Sequence, residues 1–567
     1  MNSFLNSAGR PKDWVAVRYK KHNSWAELTW QEYFEQGRTL ALALLASGVQ
    51  AGDRVAILAN TRYEWGVLDF AILSIGGITV PIYQSQKAEE VEWLVNHAEP
   101  RILFVEDKNQ YKKWQSIAKR CKSVEKVVVM DPVDELDEKS QSWDDFQRMA
   151  ADRYQTEFET RAKAVRPEDM ATIVYTSGTT GEPKGVILTH RQIVSEVEDL
   201  VKAYPISPGD STLSFLPYAH VLGRVELWLH MFLGFTMTFA QGIDRLRSNL
   251  AEIKPTVILG VPRIFEKIYA GMIAQVEGQP IRQKMLSFFR KNSSWYSQIA
   301  ADLLVFRKLR EGLGGHLRFV VSGGAPLEPG LADFFRRAGI LLLEGYGLTE
   351  TSAAICVNTP ESFEFGTVGK PLPDVQIRLA DDGEILVKSD KVMKGYYKNP
   401  GESDKVFIDG FFATGDIGIW TDSGFLKITD RKKDLIKTAG GKYVAPQKLE
   451  NLLKLNPLIS HALIHGDRKK YIVALLTLDE AYVKRLAKSN GWSFKDYETL
   501  VRSQPVMDLA RQAVAEVNSQ LSSFETIKSF AIVPHDFTIE GGELTPSLKV
   551  KRKYCDQKYA AEIAALY

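Results

Sequence analysis

The alternation of short apolar runs with amphipathic stretches, between residue 54 and about residue 345, constrains the fold of this chain more than any other feature. RVAILAN, ITVPI and RILFVE are predicted strands, and Arg62–Ile75 and AEEVEWLVNHA are predicted helices between them. The same pattern continues in the runs EKVVVM, TIVYT, TVILGVP, LRFVVSGG and ILLLEGYG. Strands that alternate with helices along a chain indicate α/β layers around a largely parallel sheet.

The pattern changes after the last of these runs. Residues Gly366–Ile428 are rich in glycine and favour a small antiparallel sheet, and the charged segment DRKKDLIKTAGGKY then marks a domain boundary. Beyond it, ISHALIHGD and YIVALLTLD are predicted strands, and Glu480–Ser489 and Val506–Leu521 are predicted helices. The predicted fold class is α/β: a large N-terminal body of parallel-type α/β subdomains plus a small β-rich subdomain (residues 1–430), with a smaller α+β C-terminal domain (residues 431–567).

Composition is that of an ordinary globular protein. Hydrophobic residues make up 45% and charged residues 25% of the 567 positions, which excludes a disordered or fibrous protein. The three cysteines, Cys121, Cys356 and Cys555, form no C-x-x-C pair, so we expect a reducing compartment and neither a disulfide framework nor a zinc ribbon. We expect no signal peptide, because the first residues lack an apolar core, and no transmembrane helix, because Asp, Glu and His interrupt the longest apolar stretches.

The charge is unevenly distributed, although the net charge of +2 does not favour a nucleic-acid partner. From Arg431 to the end of the chain there are 22 Lys and Arg residues against 15 Asp and Glu residues. A basic C-terminal part on an acidic body suits a lid that closes over a polyanion. Chance scatter of surface charge is the alternative explanation.

The segment Tyr175–Gly185, YTSGTTGEPKG, is the strongest local signal for function. It follows the apolar run TIVY and precedes VILTHRQIV, a predicted strand and helix. Glycines let the backbone approach a ligand closely, hydroxyl and N–H groups can surround phosphate oxygens, and Lys184 adds a mobile positive charge. The spacing differs from that of a Walker A loop. A plain Gly/Ser/Thr turn is the alternative, but six such residues in a row before EPKG favour phosphate binding.

Three other turns are candidates for the rest of a nucleotide site. In GYGLTE, Tyr346 offers a flat face for a purine and Glu350 offers a hard oxygen for Mg²⁺. The turn Ser322–Pro326 follows a predicted strand in the same way. In TGDIG, Asp416 either holds the hydroxyls of a ribose or caps a turn, and the spacing alone favours the cap.

The C-terminal run LTPSLKVKRK contains a lysine behind a turn-forming Thr-Pro-Ser. A loop lysine from a second domain can stabilise negative charge that develops on a phosphate or a carboxylate. A solvated basic surface is the alternative. Lys549 is the predicted residue, because it precedes the basic pair, and Lys551 stays open as a second candidate.

Taken together and in this order, the motifs resemble those of the adenylate-forming superfamily, which includes acyl-CoA synthetases, firefly luciferase and the adenylation domains of nonribosomal peptide synthetases. The resemblance covers residues 14 to 560. It is strongest to the AMP-forming long-chain fatty acid–CoA ligases, through LPYAHVLGR, ADLLVFRKLREGLGGHLRFVVSGGAPL, DRKKDLIKTAGGKYVAP and LTPSLKVKRK. It implies that a fatty acid is activated by ATP to an acyl-adenylate and then transferred to coenzyme A, which gives acyl-CoA, AMP and pyrophosphate.

The resemblance also assigns roles to residues of this chain. The ATP phosphates would be bound by Thr176, Ser177, Gly178, Thr179, Thr180, Gly181 and Lys184. The nucleoside would be bordered by Gly324, Ala325, Gly345, Tyr346, Gly347, Thr349, Asp416 and Arg431. Mg²⁺ would be bound by Thr176 and Glu350. The catalytic residues would be Lys549, Thr176, Glu350 and His220, the last at the junction of the acyl and pantetheine channels.

Domain rotation is a further implication of the resemblance. Residues 1–430 would bind AMP and the acyl group, and residues 431–567 would be a mobile lid that carries the catalytic lysine. Asp430 to Lys433 would be the hinge, with Lys433 as the pivot, and Gly440 and Gly441 would rotate in to line the pantetheine tunnel.

The acyl group is less well defined by the sequence. Leu213–Ala240 is rich in Phe, Trp, Leu and Met, which suits either a tunnel wall or plain core, and Trp228 is the candidate gate. Arg282–Arg310 is basic and apolar together, which suits either a membrane-touching face or an ordinary pair of surface helices. Small-molecule substrates (fatty acid, ATP, CoA), a monomer or homodimer and a cytoplasmic location are expected, with peripheral contact to the cytoplasmic membrane face as the alternative.

Four other functions are alternatives. One is an acyl-CoA synthetase for a medium-chain or aromatic acid. Another is a stand-alone amino-acid adenylating enzyme, for which Glu226, near His220 and Arg224, would be the acid that binds an ammonium group; no carrier-protein segment follows. A luciferase-like oxygenase would need a bound aryl acid. A non-catalytic nucleotide-binding or membrane-recruitment protein would carry a degraded site, whereas all the motif residues are present here.

Overall fold

A computed structural model describes residues 2–176, 182–277, 306–545 and 549–567. Five of the predicted phosphate-binding residues, namely Ser177, Gly178, Thr179, Thr180 and Gly181, therefore lie outside the described residues. So does most of the predicted amphipathic stretch Arg282–Arg310.

The first part of the chain alternates helices and strands as the sequence predicts. Its elements in chain order are α1 (Asn2–Ser7), β1 (Val15–Lys21), β2 (Ser24–Thr29), α2 (Trp30–Ala46), β3 (Arg54–Leu58), α3 (Tyr63–Ser74), β4 (Ile78–Ile82), α4 (Ala88–Ala98), β5 (Ile102–Val105), α5 (Lys108–Ile117), β6 (Lys126–Val129), β7 (Ser140–Ser142), α6 (Trp143–Arg148), α7 (Gln155–Ala164) and β8 (Met170–Thr176).

The middle of the chain continues the alternation and then becomes rich in strands. Its elements are β9 (Lys184–Thr189), α8 (His190–Ala203), β10 (Ser211–Ser214), α9 (Val221–Leu233), β11 (Thr236–Phe239), α10 (Leu246–Ile253), β12 (Val257–Gly260), α11 (Pro262–Glu277), α12 (Arg307–Gly312), β13 (Phe319–Ser322), α13 (Pro329–Arg337), β14 (Leu342–Leu348), β15 (Ala353–Val357), β16 (Lys370–Pro371), β17 (Gln376–Leu379), β18 (Glu384–Lys388), β19 (Gly395–Tyr396), α14 (Pro400–Lys405), β20 (Phe407–Ile408), β21 (Phe411–Trp420) and β22 (Leu426–Arg431).

The C-terminal part is a mixture of helices and short sheets. Its elements are β23 (Ile436–Lys437), β24 (Tyr443–Val444), α15 (Pro446–Lys454), β25 (Ile459–His465), β26 (Ile472–Leu478), α16 (Glu480–Asn490), α17 (Tyr497–Val501), α18 (Gln504–Asn518), β27 (Ile527–Ile532), α19 (Arg552–Lys558) and α20 (Ala560–Ala564).

The largest sheet places the phosphate-loop motif at its edge. Its strand order is β19-β9-β8-β4-β3-β5-β6-β7, in which the six strands from β8 to β7 are parallel and β9 and β19 are antiparallel. Strand β8 ends at Thr176, so the motif begins at the carboxyl edge of the parallel strands. Ligands in α/β folds bind at this edge.

Two further sheets complete the α/β body. In one, β10, β11 and β1 are parallel and β2 pairs with β1 in the antiparallel sense. In the other, β12, β13 and β14 are parallel, and β15 and β16 are antiparallel. Strand β13 ends at Ser322, directly before Gly323, whereas the GYG segment lies within β14 and pairs with β15, so it is part of a strand and not the predicted turn.

The predicted small antiparallel sheet is confirmed. Strands β17, β18, β21 and β20 are adjacent in that order, β22 pairs with β21, and every pairing is antiparallel. Asp416 in β21 lies opposite Arg431 in β22. The TGD segment is therefore part of a strand and not the tight turn that its spacing favoured.

The C-terminal part has an apolar core of its own, which runs from Ile436 to Ile527. Strand β26 pairs with β25 in the antiparallel sense and with β27 in the parallel sense. The sequence predicts β25, β26, α16 and α18, but β27 is missed because only Ile527 of its six residues is fully buried. The division at residue 430 and the movement of this part remain predictions.

A buried ionic network fixes helix α9 against the largest sheet. Nη2 of Arg224 donates to both carboxylate oxygens of Asp69, at 2.7 and 2.8 Å. Nη1 donates to the hydroxyl of Thr172 in β8 at 2.6 Å. Thr79 donates to Asp69 at 2.6 Å, and all four side chains are buried. The network thereby positions His220, which precedes α9, relative to the end of β8. No helix among the described residues is long and apolar enough to cross a membrane.

Candidate active site

A cavity of about 3010 Å³ lies between the α/β body, the antiparallel sheet and the C-terminal part. The predicted site residues that line it are Thr176, Lys184, His220, Gly324, Ala325, Gly345, Tyr346, Gly347, Thr349, Glu350, Asp416, Arg431 and Lys549. Gly440 and Gly441 do not line it and are exposed between β23 and β24. The fold thus brings residues from distant parts of the chain into one chamber and leaves the glycine pair outside.

Lys184 has an anionic partner that the sequence analysis missed. Its Nζ donates to Oε2 of Glu402 at 2.6 Å and lies 4.9 Å from the ring centroid of Tyr396. Lys184 and Lys405 hold the pKa of Glu402 at about 2, so this carboxylate is charged. A phosphate that binds Lys184 would compete with Glu402.

Glu350 is held in a short turn that follows β14. The hydroxyl of Tyr396 donates to its Oε1 at 3.0 Å, and the N–H of Met393 donates to its carbonyl oxygen at 2.7 Å. Among the described residues, no three carboxylate, His or Cys side chains cluster closely enough to hold a metal. A divalent cation at Glu350 would therefore take further oxygens from the phosphates of a nucleotide, which is the usual arrangement for Mg²⁺.

Asp416 is tied to the predicted adenine-side residue. The hydroxyl of Tyr346 donates to its Oδ2 at 2.7 Å, and Nε of Arg431 lies 3.3 Å from its Oδ1. Burial raises the pKa of Asp416, against the lowering effects of Arg431 and Tyr346. The carboxylate of Asp416 thus contacts side chains in the cavity instead of capping a turn, and its role in holding a ribose remains a prediction.

Glu384, a second carboxylate that the sequence analysis missed, links strand β21 to the predicted hinge. Oε1 of Glu384 accepts a hydrogen bond from the N–H of Gly415 at 3.0 Å, and Oε2 accepts one from Nζ of Lys432 at 2.7 Å. Nζ of Lys432 also lies 2.6 Å from Oδ2 of Asp382. Within the predicted hinge, Lys432 is thus the residue that contacts Glu384. The pivot role of Lys433 remains a prediction.

The two candidate lysines of the C-terminal run have different surroundings. The charged groups that act on the ammonium of Lys549 are Arg431, Asp416 and Glu350. The pKa of Lys549 is lowered, mainly by burial and then by the positive charge of Arg431, and the two carboxylates oppose this only in part. The side chain is still reached by water from the cavity. Nζ of Lys551 lies 3.7 Å from Oε1 of Glu90. Lys551 and Glu90 line the cavity as well, so the choice of Lys549 remains a prediction, which its nearness to Asp416 and Glu350 supports.

Local hydrogen bonds explain why Lys549 reaches the cavity. The N–H of Thr545 donates to the carbonyl of Lys549 at 2.8 Å, and the N–H of Lys549 donates to Oγ1 of Thr545 at 3.0 Å. These two bonds close the base of the loop that the Thr-Pro-Ser segment was predicted to form. Residues 546–548 themselves lie outside the described residues.

His220 is the N-cap of helix α9. Its Nδ1 accepts a hydrogen bond from the N–H of Leu222 at 3.1 Å. Burial and the charge of Lys549 lower its pKa to about 4, so the ring is neutral at physiological pH and its hydrogen is on Nε2. His220 can therefore donate a hydrogen bond to a carbonyl or carboxylate oxygen in the cavity.

Several apolar residues of the stretch Leu213–Ala240 line the cavity, among them Phe215, Leu216, Leu222, Val225, Leu229 and Phe235. A tunnel-wall role for this stretch remains a prediction. Trp228 is buried, lies 5.1 Å from the guanidinium of Arg224 and does not line the cavity in this conformation. Its role as a gate remains a prediction.

The antiparallel pairing of β14 with β15 requires a glycine at position 347. A Cβ atom there would overlap the carbonyl oxygen of Ala353, because the register shifts between Tyr346 and Gly347. We expect Gly347→Ala to lower the free energy of unfolding by about 2 kcal/mol or more, by forcing the two strands apart. Thermal unfolding measures this. Gly345→Ala is the matched control, since its Cβ would meet Val357 only at 3.5 Å; an equal loss in both variants would contradict the argument.

Comparisons with known proteins agree with this architecture. Residues 4–397 match a family model described as AMP-binding enzyme, and residues 433–567 match one described as AMP-binding enzyme C-terminal domain. The chain is 39% identical to the long-chain-fatty-acid–CoA ligase FadD15 of Mycobacterium bovis, over 98% of this chain and 94% of that protein. It is 33% identical to the peroxisomal long chain acyl-CoA synthetase 7 of Arabidopsis thaliana, over 98% and 84%.

A solved structure shows the same fold. The adenylation domain of a carboxylate reductase from Mycobacterium chelonae superposes with a TM-score of 0.79 at 22% identity, covering 100% of this chain and 90% of that chain. At this identity the likeness concerns the fold alone.

Proposed function

The chain belongs to the AMP-binding enzyme family, and from that premise we propose that it activates a long-chain fatty acid with ATP and transfers the acyl group to coenzyme A. One observation carries the proposal: a single cavity contains Lys549, Asp416 and Glu350 together with an apolar wall from helix α9 and the residues that follow β10. The names of the ligases that are 39% and 33% identical support the choice of a long acyl chain.

In the first step, a carboxylate oxygen of the acid attacks the α-phosphorus of ATP, and pyrophosphate leaves. Negative charge spreads over the phosphate oxygens in this transition state, so catalysis depends on positioning and on cations. We assign Lys549 to that charge and Lys184 to the departing phosphates, after it exchanges Glu402 for phosphate oxygens. Asp416 would accept hydrogen bonds from the ribose hydroxyls beside Tyr346.

In the second step, the thiol of coenzyme A loses its proton and attacks the carbonyl carbon of the acyl-adenylate, and AMP leaves. The arrangement described here suits the first step, because Lys549 lines the cavity and Gly440 and Gly441 do not. The second step would require the C-terminal part, residues 431–567, to rotate about Asp430 to Lys433 so that the glycine pair replaces Lys549. Hinge residues absorb the change in backbone torsion in such a movement.

We also propose that Mg²⁺ is bound by Glu350 and Thr176 together with phosphate oxygens. Bound there, it would neutralise phosphate charge. A monomeric or homodimeric state, a cytoplasmic location and contact with the membrane surface are predictions that the described residues leave untested.

The experiment that tests the function is AMP release with and without coenzyme A, across saturated acids from acetate to palmitate. We expect strong turnover only with long acids plus coenzyme A. Turnover only with short, aromatic or amino acids would keep the adenylating fold and overturn the long-chain assignment. An absence of acid-dependent AMP release with every acid would favour a non-catalytic nucleotide-binding protein.

The metal assignment is tested by Glu350→Gln. Since an amide lacks the negative charge of the carboxylate, we expect the Mg²⁺ concentration for half-maximal activity to rise by roughly tenfold or more. Tyr396→Phe is the control, because it removes only the hydrogen bond to Oε1 of Glu350. An unchanged Mg²⁺ dependence in Glu350→Gln would remove this residue from the metal site.

A further inference from the structure

The wall of the acyl cavity contains a carboxyl group that the proposed mechanism does not use. Leu222, Val225 and Leu229 of helix α9 line the cavity at helical spacing, and Glu226 lies in the same wall. Glu226 is 2% exposed, and neither of its carboxyl oxygens has a hydrogen-bond partner among the described residues. A carboxyl group in an apolar wall is unusual, because burial without a partner is unfavourable.

A second polar group lies beside it. Thr212, in β10, is 3% exposed and lines the same cavity, and its hydroxyl has no hydrogen-bond partner in the part of the chain that the structure describes. Burial raises the pKa of Glu226 to about 7, while the nearby hydroxyls of Thr212 and Ser214 oppose this rise without reaching full hydrogen-bond geometry. The hydroxyl of Ser214 is already engaged by that of Tyr218, at 3.1 Å. Glu226 and Thr212 are thus both free to bind a further group.

Helix α9 contains two candidate cations, Arg224 and His230, and neither serves Glu226. Burial lowers the pKa of His230 to about 3, so its ring is neutral. Arg224, two residues before Glu226, directs its guanidinium to Asp69 and Thr172. Since no described residue supplies a hydrogen-bond partner for the carboxyl group of Glu226, whatever occupies the cavity is the candidate for that partner. A plain alkyl chain would displace water and leave both polar groups without a partner, whereas a chain that carries a hydroxyl would satisfy them.

The position of Glu226 indicates which part of the acyl chain it meets. It lies six residues along the helix from His220, which corresponds to about 9 Å of helical rise. His220 is near enough to Lys549 for that charge to lower its pKa, and both line the end of the cavity where the proposed function places the reacting carboxylate. Glu226 therefore faces the middle of a long chain and not the carbons next to the carboxylate.

We propose that Glu226 and Thr212 bind a hydroxyl group carried by the middle of the acyl chain, so that the enzyme prefers hydroxylated long-chain fatty acids to unsubstituted ones. This inference rests on the proposed function and names its substrate class. A hydroxyl suits a carboxyl group that titrates near neutrality, because it donates to the charged form and accepts from the protonated form. An ammonium group would suit only the charged form.

The test compares kcat/KM for palmitate with that for hydroxypalmitates whose hydroxyl moves stepwise along the middle of the chain, with ATP and coenzyme A present. We expect one hydroxylated isomer to be preferred by about tenfold, the effect of one satisfied buried hydrogen bond. Glu226→Leu should abolish or reverse this preference, and Thr212→Val should reduce it. Thr238→Val is the matched control, since its hydroxyl is also buried and unpartnered but does not line the cavity. Its selectivity should equal that of the wild type.

The outcomes separate the inference from the proposed function. Equal turnover of palmitate and all its hydroxylated forms, unchanged by Glu226→Leu and by Thr212→Val, would overturn the inference and indicate water as the partner of Glu226. A preference for chains with an amino group in the middle would also overturn it. Failure of every long acid to release AMP would instead overturn the function. Should Glu226→Leu fail to fold, as judged by thermal unfolding, the change in selectivity of Thr212→Val decides.

Discussion

Lys549→Ala is expected to slow acyl-adenylate formation by a factor on the order of 10²–10³ and largely to spare thioester formation from preformed acyl-adenylate. The ammonium lies in the field of Asp416, Glu350 and Arg431, inside the cavity where the phosphate charge develops. The second step would begin only after this lysine has left the site. Its removal should therefore change the rate of thioester formation little. Single-turnover measurements of each half-reaction separate the two effects.

Lys551→Ala is the matched control for this prediction. It removes a lysine of the same run, whose Nζ lies 3.7 Å from Oε1 of Glu90 on helix α4. A partly exposed ion pair of this kind contributes about 0.2–1 kcal/mol, so the adenylation rate should change by less than about fivefold. If Lys549→Ala lowered both half-reactions equally, or if Lys551→Ala had the larger effect, the assignment of Lys549 would be wrong.

The second large effect is expected on stability. Arg224→Leu should lower the free energy of unfolding of the α/β body by about 3–5 kcal/mol, because it leaves the carboxylate of Asp69 buried without its cation. It also removes the donor to Thr172 and the link between α9 and the largest sheet. Thermal and denaturant unfolding measure the loss.

A double variant provides the control. Asp69→Leu combined with Arg224→Leu replaces the ion pair with apolar groups, and we expect it to recover much of the lost stability, since no charge is left unpaired. A single variant that loses less than about 1 kcal/mol would show that the pair carries little of the packing between α9 and the sheet. A double variant less stable than the single one would show that the side chain of Asp69 itself is needed, for example as the acceptor for Thr79.

Local patterns identified most of the α/β body. Ala88–Ala98 is a helix with the predicted bounds, and Ile78–Ile82 is a strand with the predicted bounds. Their hydrophobic periods are clear, because one face of the helix and both faces of the strand are buried. Strand β27 was missed for the opposite reason: it is only partly buried, and its partner β26 is distant in the sequence.

The candidate site shows the same division. Thr176, Lys184, Tyr346, Glu350 and Asp416 belong to short motifs whose residue types suggest their chemistry, and the resemblance to a known family added their proposed roles. Their partners carry no such signal. Glu402, Glu384 and Tyr396 come from ordinary-looking segments and contact the motif residues only because the sheets bring them together.

The sequence by itself determined the class of fold, the order of the motifs and the family, because periodic burial and short glycine-rich turns are encoded locally. Only the tertiary structure showed that Lys549 lies near Asp416 and Glu350 whereas Lys551 lies near Glu90, placed Asp416 in a strand beside Tyr346, and left Glu226 without a hydrogen-bond partner among the described residues. These three results depend on distances between residues far apart in the chain. Such distances follow from how sheets and domains pack, and a local pattern does not contain them.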